Sequence, residues 1–130
     1  MKNIILVLFF LSLSVCAQTE KTILSKLIDY STEKTPAYCG YQIAYGVLKF
    51  ELQESTEKLN KGDIVFVVQQ CPREQMEMVG GEYENNKTYD LFIGNEADKK
   101  YTSIGKWQCE KFYPKDKPKK FWYGRIIKKQ

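Results

Sequence analysis

The amino-acid sequence predicts a mainly β fold: a small closed barrel of about five strands, preceded by a short N-terminal amphipathic helix. Three observations carry this. Short apolar runs rich in β-branched and aromatic residues recur between polar turns, as in "IVFVV" from Ile64 and "FWYGRII" from Phe121, and this is a strand signature. The run from Tyr41 to Gln53 alternates but changes phase: Tyr41, Ile43, Tyr45 and Val47 are odd, whereas Leu48, Phe50 and Leu52 are even. One extra residue in a strand flips the alternation and bends it, and Gly46 beside the switch takes the bend without steric cost. A long strand that bends and swaps its inward face is how a small barrel turns a corner. Finally, 130 residues of 43% hydrophobic content are enough for one domain with a real core, and no internal repeat is present.

The elements follow in chain order. "MKNIILVLFFLSLSVCAQ" has an early Lys2, an apolar run from Ile4 to Leu13 and then small residues, which is the layout of a secretory signal, predicted over residues 1–17. The run is short for a membrane span. Val15-Cys16-Ala17 places cleavage before Gln18; the alternative is a lipoprotein signal in which Cys16 becomes the lipidated first residue, although Val15 is bulkier than the small residue usual there. Ile23, Leu24, Leu27 and Ile28 stand at helical spacing behind Thr19 or Thr22 as N-cap, so residues 20–31 are predicted as a helix that packs on the barrel. Thr35-Pro36 ends it, making 18–36 a helix and linker and 37–130 the barrel domain.

The bent strand is expected over about 40–53, followed by a polar turn in which Asn60-Lys61-Gly62 supplies left-handed positions. The continuous apolar run from Ile64 predicts a central strand covered on both faces. Residues 82–86 read as a loop, and "KTYDLFI" as a strand with Tyr89, Leu91 and Ile93 inward. "NEADKK" is a further turn, "TSIGKWQCEKF" a broken strand, "PKDKPKK" a basic loop and "FWYGRIIKK" the closing strand.

The residues "YCG…VLKFEL…GDIVFVVQQCPRE…KTYDLFI" resemble the small OB-type barrels of the netrin/tissue-inhibitor-like class, and exported bacterial proteins with similar "CG…CP…G…Y" spacing. The resemblance covers Tyr38 to Ile93 and implies an OB-like barrel. It departs from the inhibitor pattern at one place. Those inhibitors use an N-terminal Cys-x-Cys, whereas Cys16 is followed here by Ala17 and Gln18, so the inhibitory activity does not carry over.

Several chemistries are excluded outright. The chain contains no histidine, which removes Ser-His-Asp and Cys-His nucleophiles and every His-ligated metal site. Without a Cys-x-x-Cys pair or a phosphate-cradling Gly loop, the sequence predicts no metal, no cofactor and no redox dithiol. Glu74 with Glu77, and Glu82 with Glu84, read as solvated surface. Asn86-Lys87-Thr88 is a formal glycosylation acceptor, relevant only in a eukaryotic host, and the leader is bacterial in style. No enzymatic activity is predicted.

Cysteine and charge supply the positive expectations. Without Cys16 three cysteines remain, Cys39, Cys71 and Cys109, and export permits a disulfide. If the strands around the 54–62 turn form a hairpin, Cys39 and Cys71 meet at its open end; a pair using Cys109, or free thiols, are the alternatives. Removing residues 1–17 leaves 19 basic and 16 acidic residues, a balance of +3. From Lys111 to Gln130 eight bases face Asp116 alone, giving +7, against −4 for residues 18–110. In that last stretch Lys111, Lys117, Lys119, Lys120, Trp122 and Arg125 form the candidate binding surface, since basic groups attract anions and aromatic faces stack.

The expectation is therefore an exported, non-catalytic binding or interaction module of the bacterial cell envelope: periplasmic, outer-membrane-associated or secreted. Its partner would be an envelope or extracellular protein. The alternative is an anionic polymer or membrane surface held by the basic aromatic segment. Export argues against nucleic acid as a partner, and firm membrane attachment requires lipidation of Cys16.

Overall fold

The β-rich expectation holds, and the strands close on themselves. The structure, a computed structural model, describes residues 21–32, 35–41, 43–97 and 110–130. These contain β1 (Ile23–Ser31), β2 (Tyr45–Leu52), β3 (Ile64–Gln70), the short helix α1 (Pro72–Met78), β4 (Thr88–Glu96), a 3-10 turn at Glu110–Phe112 and β5 (Trp122–Lys129). The strand order is β1-β2-β3-β5-β4, and β4 pairs back onto β1. Neighbours are antiparallel except β3 and β5, which run parallel through only two register pairs, Val67 with Trp122 and Val68 with Tyr123.

Alternation places the core. Leu27, Leu48, Phe50, Leu52, Val65, Val67, Tyr89, Leu91 and Ile126 turn into the ring and form one buried cluster. Each large apolar side chain so buried contributes about 1.5–3 kcal/mol. Val47, Phe66 and Val68 face the other way and are buried too, in a second cluster completed by Ala97, Phe112 and Phe121. As expected, β3 is covered on both sides, and Tyr89 and Leu91 lie inward with Ile93 packed against the same cluster. The 53–63 turn also forms as expected, with Gly62 at φ +89° and its N–H donated to the Leu52 carbonyl at 2.8 Å.

Three expectations are corrected. Residues 23–31, expected as part of a helix over 20–31, are strand β1, paired on both sides, so the ring begins ahead of the anticipated boundary at 37. Ile23, Ser25, Leu27 and Ser31 are its buried positions; the polar Ser25 hides the period of two and leaves a helix-like apolar set. The bulge anticipated near Gly46 is absent, because β2 pairs with β3 in unbroken register from Tyr45 to Glu51. The phase change in β2 instead records burial on both faces, and the register shift lies in β1, between Leu27 and Asp29. Gly46 serves a close approach: a Cβ there would stand 2.7 Å from Pro72 Cγ. Third, β2 begins at Tyr45 and not at residue 40.

Helix α1 adds an element that the strand pattern does not predict. Pro72 at its first position is pre-set for helical φ, and Arg-Glu-Gln-Met-Glu-Met are strong helix formers. Residues 1–20, with the expected signal segment and Cys16, lie outside the described residues, as do Cys109 and most of the expected broken strand.

Candidate functional site

Two exposed regions stand out, and the first falls where the bent strand is expected. Between β1 and β2, the loop of residues 35–44 presents Tyr38 (76% exposed), Tyr41 (fully exposed) and Ile43 (63% exposed). Large apolar side chains on a loop normally collapse onto the body of a protein, so their exposure needs an anchor. Here the anchors are explicit. Cys39 is joined to Cys71 by a disulfide with a Cα–Cα distance of 5.9 Å, one of the pairings that the sequence leaves open. Cys71 N–H donates to the Ala44 carbonyl at 2.7 Å, and the Thr35 N–H and hydroxyl both donate to the Thr32 carbonyl, at 2.9 and 2.6 Å. Arg73, on α1, donates to the Thr35 carbonyl at 3.2 Å. Covalent and hydrogen-bonded ties thus hold both ends of the loop.

The base of that loop is tied to the core by a buried polar chain. Ile126 N–H donates to Gln69 Oε1 at 3.2 Å, Gln69 Nε2 donates to the Tyr83 hydroxyl at 2.7 Å, and that hydroxyl donates to the Pro72 carbonyl at 3.3 Å. Burial pushes the Tyr83 phenol well above the ordinary tyrosine range. The Gln69 hydrogen bond opposes this, while the nearby Tyr89 phenol adds to it. The Tyr83 phenol therefore stays a neutral donor across the physiological range.

The second region is the basic C-terminal stretch, which the fold divides. Its aromatics turn inward: Phe112 and Phe121 are buried against Phe66, with ring centroids 5.6 and 6.1 Å from it. Trp122 is half-buried against the inner core and lines a cavity of about 400 Å³ with Ile23, Leu59 and Ile93. Lys111 is held by Asp29 at 3.2 Å, beside the Tyr30 and Phe112 rings. Arg125 lies over the Phe92 ring, 5.9 Å from its centroid. Lys115, Lys117, Lys119 and Lys120 are exposed, and no ion pair holds them among the described residues. The loop carrying them is fastened by Lys49, whose Nζ donates to Asp116 at 2.7 Å. Of the six residues singled out from sequence, Lys117, Lys119 and Lys120 stand exposed on one loop, Lys111 and Arg125 are exposed beside aromatic rings, and Trp122 is half-buried.

The carboxylates expected on the surface are mostly there. Glu77, Glu82 and Glu84 are exposed, and Glu84 accepts from Lys129 at 2.7 Å, which lowers its pKa and raises that of Lys129. Glu74 is half-buried on α1. It stands with Cys39 and Cys71 in the one triplet of metal-ligand type among the described residues, but the two sulfurs are bonded to each other and do not act as thiolate ligands. No described helix is long and apolar enough to cross a membrane. Comparison with known proteins returns no matching family model, curated protein or solved structure.

Proposed function

We propose that this protein is an exported OB-like barrel acting as a non-catalytic interaction module, and that it engages a protein partner through the stapled loop 35–44. The OB-like assignment is supported by the closed order β1-β2-β3-β5-β4, the parallel β3–β5 pair and the short helix between β3 and β4. In that architecture the loop after the first strand is one of two that flank the usual binding face. Export is supported by the Cys39–Cys71 disulfide, since such bonds persist in oxidising compartments. It entails a leader over residues 1–17 and a mature start at Gln18, or at a lipidated Cys16.

One observation carries the partner class: two tyrosines and an isoleucine stand exposed on a loop fixed at both ends. Tyrosine offers large contact area at low entropic cost and is enriched at interface centres. Prior anchoring lowers the ordering cost of association. The test places a photo-reactive phenylalanine analogue at Tyr41 and, as control, at Lys61 on the β2–β3 turn, in cells that make the protein. A discrete adduct from position 41 alone, lost when Tyr38 and Ile43 become Ala, supports the reading. Equal labelling from both positions removes it.

A second reading rests on the four unpaired lysines between Lys115 and Lys120, which suit an anionic polymer or lipid surface. Such binding weakens steeply with salt. Heparin retention that survives Lys117→Gln, Lys119→Gln and Lys120→Gln together eliminates it.

A further inference from the structure

A groove of about 660 Å³ lies on the outer side of the sheet, between the C-terminal half of β3, helix α1 and β5. It exists because β3 and β5 pair only as far as Val68 and Tyr123 and then part. Pro72 turns the chain into α1, while β5 continues against β4. Gly124 keeps that second approach close, since a Cβ there would collide with the Phe92 carbonyl oxygen. The volume falls within the range of small-ligand sites.

The groove is pre-shaped. Gln69 spans the gap beneath it, accepting the Ile126 N–H and donating to Tyr83, which in turn donates to the Pro72 carbonyl. The two diverging strands and the helix start are thereby tied together by the protein's own hydrogen bonds.

The lining chemistry narrows the ligand. Gln70 and Gln75 offer carboxamides, Glu74 and Arg125 bring opposite charges, and Tyr45 and Tyr123 flank them half-buried. A carboxamide both donates and accepts, which complements the N–H and C=O of an acetamido group. Among the described lining residues one carboxylate and one guanidinium balance, which gives no preference for phosphate or sulfate. Flanking aromatic side chains suit the apolar face of a sugar ring.

We propose that this groove binds a neutral oligosaccharide through an N-acetylamino sugar. The groove adjoins the anchored end of loop 35–44, since Tyr45 and Cys71 line it. It uses neither the exposed Tyr38, Tyr41 and Ile43 nor the lysines at 115–120, so variants at those positions test the two readings separately. From the proposed function this inference takes only export, which would bring the protein to the sugars of cell-wall and surface glycans.

The test titrates the intact ¹⁵N-labelled protein with the β-1,4-linked trimer of N-acetylglucosamine, and in parallel with cellotriose, which lacks the acetamido groups. Expected are saturable shifts at the Gln70 and Gln75 side-chain amides, unchanged between low and high salt, and at least about tenfold weaker cellotriose binding. Gln70→Ala and Gln75→Ala each weaken the acetylated trimer about five- to tenfold, the scale of a hydrogen bond to an uncharged partner. Unaltered dispersion of the remaining amide resonances shows that these variants still fold. Tyr38→Ala with Tyr41→Ala, and the triple lysine variant, retain full sugar binding. Absence of shifts at millimolar trimer, equal affinity for cellotriose, or tighter binding of acetyl-trialanine amide at the same residues would each overturn the proposal.

Discussion

Loop 35–44 and the stretch 113–121 both lie on the outside of the same ring of strands, yet they solve opposite problems. The first holds apolar side chains out of the core, with Tyr38, Tyr41 and Ile43 exposed. It is fastened by a disulfide, by turn hydrogen bonds and by Arg73. The second holds lysines in water, where they are already favourable. Its fastening comes from the aromatics at its ends, Phe112 and Phe121, which are buried on the outer faces of β2 and β3. The difference is thermodynamic: exposing a tyrosine needs a local constraint, whereas exposing a lysine needs only that its neighbours pack. A surface kept apolar against that tendency is the stronger indication of an interface.

The largest effect is expected at Phe121. It is 1% exposed and packs on Phe66, so Phe121→Ala removes both transfer free energy and packing. A loss of about 3–5 kcal/mol is expected, read as a lower urea midpoint. It should free the lysine stretch while leaving the disulfide loop intact. Next comes the disulfide. Cys39→Ala with Cys71→Ala opens a link spanning 32 residues, worth about 3–4 kcal/mol in the chain-entropy model. Hydrogen exchange should then rise in residues 35–44 before it rises near Phe121. Simultaneous loosening of both regions would show that they are one cooperative unit.

Legibility follows the same divide. Strands β3 and β4 are legible because a period of two, or a short unbroken apolar run rich in β-branched residues, suits a strand better than a helix. The hairpin between β2 and β3 is legible from Asn60-Lys61-Gly62, and the hairpin in turn brings Cys39 and Cys71 together. Strand β1 is not: Ser25 occupies a core position, hydrogen-bonded to the Ile23 carbonyl at 3.2 Å, and the register shift after Leu27 breaks the alternation again. The remaining apolar residues then imitate a helix. Helix α1 is seven residues long, too short to show a period, and only Pro72 followed by helix formers marks it. Among candidate site residues, the lysine run is visible as charge. The exposure of Tyr41 and Ile43 is not, because they continue the odd-numbered series into Tyr45 and Val47, and an aromatic reads alike whether it fills a core or meets a partner.

A smaller effect is expected at Tyr83, whose hydroxyl fixes the base of the stapled loop through Pro72. Tyr83→Phe leaves Gln69 Nε2 without that acceptor in a buried place, a cost of about 1–3 kcal/mol. Its pH signature is specific. The folded pKa lies above the unfolded value of 10.0, so the buried phenol's contribution is fully present below pH 10 and declines as pH rises beyond it. Tyr83→Phe should therefore flatten the loss of stability on the alkaline side, while the wild-type chain keeps it.

The smallest effect belongs to the lysine stretch's polar fastening. Lys49 and Asp116 meet at 2.7 Å with side chains only 14% and 19% exposed, less screened than a surface pair. The bond is nevertheless one charge-assisted contact beside a fully packed aromatic pair. Asp116→Asn keeps an acceptor near Lys49 and removes the charge, so about 0.5–1.5 kcal/mol is expected, with the loss reduced at high salt. Arg73→Ala, which removes one hydrogen bond to Thr35 from a loop that retains its disulfide, should cost a similar or smaller amount. If Asp116→Asn instead matched Phe121→Ala, the lysines would be held out by electrostatics as firmly as the tyrosines are by a covalent bond. The contrast between the two regions would then be one of sign alone.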